Sequence, residues 1–197
     1  MAEEIRAFRR TGRELGGWRD FSEGLAHHQL KQLDQAEVSM QAAVRGFFPS
    51  PRLALEGGLG LKELAYYEKA LEVLAPLEQT LKDAHLYWQV VFELAEVMRQ
   101  DPVLLLRAAT EARRLLPDDA RWDFNYAAAL LVNRLDPARV IGVTRDFLTR
   151  MPASPHARVN HCYALALNQR WDEAAELLNT VDPARFEEFG RSVFHLC

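Results

Sequence analysis

The segments GLAHHQLKQLDQAEVSM (24–40) and GLGLKELAYYEKALEVL (58–74) lie 34 residues apart and agree where side-chain size matters. Gly24-Leu25 falls on Gly58-Leu59, Leu30 on Leu64, Ala36 on Ala70 and Met40 on Leu74. Self-similarity at a fixed shift of this length marks a repeat architecture. Within the second segment Leu64, Tyr67, Leu71 and Leu74 recur at helical spacing, and Leu86, Val90, Leu94 and Val97 continue the pattern. The same shift carries Trp88 to Trp122, whereas a shift of 35 sets Asp101 on Asp136, Pro117 on Pro152, Asn125 on Asn160 and Asn133 on Asn168. A one-residue insertion is therefore expected between Trp122 and Asp136, with each unit holding two helices of roughly 12 to 15 residues and a tight turn.

Punctuation agrees with that period. Asp101-Pro102, Asp136-Pro137 and Asp182-Pro183 each put a capping carboxylate before a proline, which a first helical position tolerates. Pro117 and Pro152 are expected to close helices. Pro76 falls inside a second helix and should kink it, at about 3 kcal/mol if unrelieved. Gly57, Gly58 and Gly60 share one short helix, read here as close helix contact, although each costs about 1 kcal/mol relative to alanine. Neither Asn-Gly nor Asp-Gly occurs, and no sustained two-residue alternation signals a strand.

These residues resemble the tetratricopeptide repeat (TPR) family. Gly24 with Ala36, and Gly58 with Ala70, give a small residue in each first helix and another twelve later in the second. Tyr67-Glu68-Lys69-Ala70 and Trp171-Asp172-Glu173-Ala174 resemble the family's entry into the second helix, and Ala43 its later small residue. Phe92 and Tyr126 depart from the pattern where a small residue is usual, as does Leu104. The resemblance implies an all-α, right-handed α-solenoid of antiparallel helix pairs, about twelve helices in a single domain. That domain comprises an N-terminal helix over 2–15, about five degenerate repeats over 17–181 and a capping helix over 183–196.

Composition narrows the function classes. A net charge of -4 argues against a general nucleic-acid binder. The basic stripe Arg6, Arg9, Arg10 and Arg13 is diluted by Glu3, Glu4 and Glu14 and reads as a solvated face. Cys162 and Cys197 are too few for a disulfide framework, and no apolar run approaches a membrane span. A cytoplasmic protein is expected, with no membrane partner. Histidine pairs lack the spacing that places two ligands on one helix face, so no metal or cofactor is expected. Gly57-Gly58-Leu59-Gly60 lacks the Gly-Lys-Ser/Thr ending of a phosphate loop. No nucleophile elbow occurs, so the chain is read as a non-enzyme.

A TPR-like solenoid would bind a protein or peptide in a concave groove lined by first helices, as a scaffold or adaptor. Projected onto the repeat, the groove candidates are Trp18, Phe21, His28, Arg52, Lys62, Gln89, Glu93, Glu96, Asp123, Asn125, Asn160 and Tyr163. Gln89, Glu93 and Glu96 form one polar stripe that favours a basic peptide. By resemblance, Asn125 and Asn160 are candidates for an asparagine ladder on a peptide main chain, and Cys162 takes a small-residue place. The alternative is a homo-oligomerisation or targeting module of a larger protein or enzyme. It would associate through the apolar last helix, with Phe186, Phe189, Val193 and Phe194.

Overall fold

The computed structural model describes residues 17–46, 50–133 and 137–181. Among these the fold is all-α, with ten helices longer than one turn and no strand. They are α1 (Gly17–Gln29), α2 (Leu33–Arg45), α3 (Pro51–Glu63), α4 (Tyr67–Leu74), α5 (His85–Met98), α6 (Pro102–Leu115), α7 (Ala120–Val132), α8 (Pro137–Arg150), α9 (Pro155–Leu167) and α10 (Trp171–Leu178). The expected total of about twelve is thus corrected to ten among the described residues. The helices expected over 2–15 and 183–196, the basic stripe of the first, and Asp136 and Asp182 lie outside them. The chain divides into two compact units, Met1–Met98 and Arg99–Cys197, so α5 ends the first and α6 opens the second.

Local chemistry sets the helix ends. Ser50, Asp101 and Ser154 each stand before a proline-led helix and accept the amide of the third residue onward, Leu53, Leu104 and Ala157. Asp119 accepts from Arg121 at the start of α7. Pro76 acts as its chemistry requires: α4 stops at Leu74, and a 3-10 turn (Ala75–Leu77) and a single turn (Glu78–Leu81) carry the chain onward. Asn133 and Asn168 end α7 and α9 alike, each donating its amide to the carbonyl four residues back, Ala129 and Ala164, at 2.8 Å.

Burial fixes the register and corrects two expectations. Six of the seven buried residues of α5 (Tyr87, Trp88, Val91, Phe92, Leu94, Ala95) map onto six of the seven of α7 (Trp122, Asp123, Tyr126, Ala127, Ala129, Leu130) at a shift of 35. Trp122 therefore corresponds to Tyr87, not Trp88. The small-residue place of the fourth repeat is Ala127, fully buried, rather than Tyr126, and Cys162 follows 35 residues later. Second-helix starts step from Tyr67 to Pro102 to Pro137, so an extra residue already stands in the turn before Pro102 and another between Ala127 and Val140. The buried face of α5 is also rotated from the expected stripe, leaving Leu86 and Val97 exposed.

In the first unit, α1 packs on α2, α3 on α4, and α1, α3 and α5 touch in succession. A Cβ on Gly24 would lie 2.9 Å from Met40 Cε, and one on Gly58 would lie 2.7 Å from Leu74 Cγ. The two contacts are the same contact displaced by one repeat. The glycines thus receive Met40 and Leu74, one turn beyond the fully buried Ala36 and Ala70. Gly60 likewise holds α3 against α1, since a Cβ there would meet Phe21 Cζ at 2.4 Å. The glycine-rich helix is therefore a contact surface on two sides. In the second unit, α6 to α10 each pack on the next, and α7 also touches α9.

Each fully described first-to-second-helix turn contains one non-glycine residue in the left-handed region: Lys31 (φ 60°), Ala65 (φ 64°), Arg99 (φ 52°) and Gln169 (φ 61°). Around three of them the amides close a Schellman pair. Lys31 donates to His28 and Gln32 to His27, Ala65 to Lys62 and Tyr66 to Leu61, Gln169 to Ala166 and Arg170 to Leu165. A side chain at such a position costs about 1–2 kcal/mol, partly offset by the entropy a glycine would lose. Ala65→Gly and Gln169→Gly are each expected to stabilise the protein by about 0.5–1 kcal/mol, read as a higher urea midpoint. A lowered midpoint would contradict this account of the turns.

Candidate functional site

The last turn of α3, the start of α4 and the second half of α5 enclose an open pocket of about 380 Å³ lined by Lys62, Glu63, Tyr67, Glu93, Glu96 and Val97. Three of the expected groove residues, Lys62, Glu93 and Glu96, meet here. Gln89 adjoins them, donating to Glu93 Oε1 at 2.9 Å. The Lys62 ammonium pairs with Glu93 Oε2 and lies 3.1 Å from Glu63 Oε1. One cation against three carboxylates leaves the lining two charges negative.

Partial burial opposes charge at both ends of the central pair. For Glu93 burial pushes the carboxyl up, but the hydrogen bonds from Lys62 and Gln89 outweigh it, holding the group below the usual carboxylate range. For Lys62 burial pulls the ammonium down, and Glu93 with Glu63 more than restores it, to above the ordinary lysine value. Both stay ionised at neutral pH.

The remaining candidates scatter, and three are corrected by burial. Phe21 is 7% exposed, with its ring end against Gly60, and serves packing rather than a groove. Asp123 is 2% exposed and sits beneath two guanidinium groups: Arg113 Nε donates to Oδ1 at 2.6 Å and Arg150 pairs with Oδ2. Asn160 is 7% exposed, with Nδ2 buried and unpartnered, while Asn125 is half-buried, so no ladder of two equivalent open amides is present. Trp18 is half-buried with its ring 5.5 Å from Phe21, and His28 packs edge-on against Tyr66 at 6.0 Å. Arg52 is exposed and pairs with Glu56, and Tyr163 is half-buried.

Three pocket residues, Glu63, Tyr67 and Val97, escaped sequence reasoning. Glu63 and Tyr67 flank the α3–α4 turn, and the left-handed Ala65 brings them to the pocket by reversing the chain over the end of α3. The described histidines offer no alternative centre. His161 Nδ1 lies 2.9 Å from Thr144 Oγ1, and burial, with Arg145 and Arg170 nearby, keeps the imidazole below its ordinary range against the pull of Glu173. Among the described residues no group of three or more His, Cys, Asp or Glu side chains could hold a metal ion, and no helix is long and apolar enough to cross a membrane.

No family model matches this sequence, and no curated protein matches it. Solved structures do. MamA from Desulfovibrio magneticus, residue 41 to the end, is 13% identical, with 83% of this chain and 91% of that chain covered at a TM-score of 0.59. Another crystal structure of MamA covers 83% of this chain and 88% of that one at 12% identity and a TM-score of 0.60. A thermophilic TPR protein in Thermus thermophilus is 14% identical, with 91% and 97% covered at a TM-score of 0.51. Likeness at such identities speaks to fold alone. The helix pairs, the 34- to 35-residue period and these neighbours give the chain a tetratricopeptide-repeat-like fold.

Proposed function

We propose that the chain is a non-catalytic protein- or peptide-binding scaffold, and that the first-helix face of its first unit takes a basic segment of the partner. The convergence of Lys62, Glu93 and Glu96 from two first helices on one open pocket carries this reading. Glu93, held ionised, is suited to recognising a cation rather than to exchanging a proton at neutral pH. Tyr67 and Val97 add apolar surface for the stem of an incoming lysine or arginine. Charge complementarity of this kind mainly raises association rate and selectivity.

A peptide array scored with wild type and with the Glu93→Gln/Glu96→Gln variant tests it. Basic peptides retained by the wild type should lose about tenfold in affinity in the variant, with weaker binding in raised salt. Undiminished binding by the variant would end the assignment of this pocket. Glutamine preserves shape and hydrogen bonding to Lys62, so a folding defect is not the expected cause of a loss.

A further inference from the structure

We infer that the second unit carries a separate anion-recognition surface, built on Asp123 and Tyr126, that fits an acidic segment of a protein partner. Three arginines from two helices converge on those two residues of α7. Arg113, from α6, donates Nε to Asp123 at 2.6 Å and lies 5.1 Å from the Tyr126 ring centroid. Arg150, at the end of α8, pairs with the other carboxylate oxygen. Arg139, at the start of α8, donates to the Tyr126 hydroxyl at 2.6 Å and stands 5.8 Å from the same ring.

Asp123 and Tyr126 are 2% and 4% exposed, whereas the Arg113 and Arg150 side chains are 41% and 42% exposed. The buried pair is thus a fixed base, and the guanidinium groups project from it. One carboxylate needs one guanidinium for neutrality, so the second beside Asp123 raises the local positive charge at a repulsive cost. Each guanidinium presents five N–H donors in a planar fork, a geometry that matches carboxylate oxygens. From Arg99 onward all 13 cations are arginine, balanced by 13 acidic residues. A cluster within a neutral unit suits a few carboxylates rather than the extended phosphate backbone of a nucleic acid, which needs a broad basic field.

Fluorescence anisotropy with labelled hexaglutamate at low salt tests this on the full chain. A Gly-Ser peptide and a single-stranded oligonucleotide of matched charge serve as the other arms. Hexaglutamate should bind, the Gly-Ser peptide should not, and the oligonucleotide should bind more weakly. Arg139→Gln, which leaves the Asp123 pairs in place, should weaken hexaglutamate several-fold. Arg150→Lys, which keeps the charge and loses the fork, should weaken it too. Asp123→Asn, which removes the opposing charge, should strengthen it. Far-UV circular dichroism on each variant separates lost binding from lost fold, and if one variant fails to fold the other two still decide. Absent binding by the wild type, folded variants that all bind alike, or a preference for the oligonucleotide would overturn the inference.

Discussion

Replacing Arg113 and Arg150 together by alanine is expected to destabilise the second unit by about 3–5 kcal/mol, while Asp123→Asn is expected to cost about 1–2 kcal/mol. The asymmetry follows from where each charge sits. The Asp123 carboxylate is 3% exposed, so without its arginines it is a buried, uncompensated charge. The two guanidinium groups are about two-fifths exposed, so without Asp123 they turn to water. Urea unfolding followed by far-UV circular dichroism measures both. Equal losses in the two variants would mean that Asp123 is better solvated than its burial implies.

Leu74→Ala is expected to cost about 2–5 kcal/mol, because Leu74 is fully buried and fills the notch that Gly58 leaves on α3. Gly58→Ala is expected to be destabilising as well. Its helix-propensity gain of about 1 kcal/mol is opposed by an overpacking cost of about 1–3 kcal/mol. The contact atom is the branch carbon of leucine, Cγ at 2.7 Å, which cannot swing aside. Gly24→Ala is a control with the same geometry and a different partner. There the near atoms belong to the flexible end of Met40, so the change should be close to neutral. Gly142, with nothing within 4 Å of a Cβ, should gain stability on Gly142→Ala by about 1 kcal/mol. In the Gly58→Ala/Leu74→Ala double variant the new methyl enters the vacated space, and the combined loss should fall at least about 1 kcal/mol short of the sum. Strict additivity, or a Gly58→Ala that stabilises as Gly142→Ala does, would show that α3 and α4 are not held at this point.

The helical class and the period were legible because burial on one helix face leaves a recurrent trace in residue size. Gly24 and Gly58, Ala36 and Ala70, and Met40 and Leu74 stand at matching places in the three-dimensional contact as they do in the chain. Pro76 was legible for a backbone reason that needs no neighbours. The inserted residues were harder to locate. Tryptophan identity linked Trp88 to Trp122, but burial links Tyr87 to Trp122, since large aromatic side chains fill neighbouring positions of one face almost interchangeably. The left-handed turn residues were not legible at all. Lysine, alanine, arginine and glutamine carry no glycine-like signal, and at Lys31, Ala65 and Gln169 the Schellman bonds, not the side chains, hold the turn.

By itself, the amino-acid order determined that this chain forms paired amphipathic helices repeating every 34 or 35 residues, and that Lys62, Glu93 and Glu96 stand on the faces of first helices. Those are properties of spacing, which the α-helical pitch converts directly into geometry. Tertiary structure decided which polar groups are buried and which meet. It drew Asp123 under Arg113 and Arg150 and turned Phe21 into the notch of Gly60, while Lys62 came to lie between Glu63 and Glu93. Such pairings depend on which helices touch and on one-residue shifts in the turns between them, and a shift of one residue rotates a helix face by about 100°.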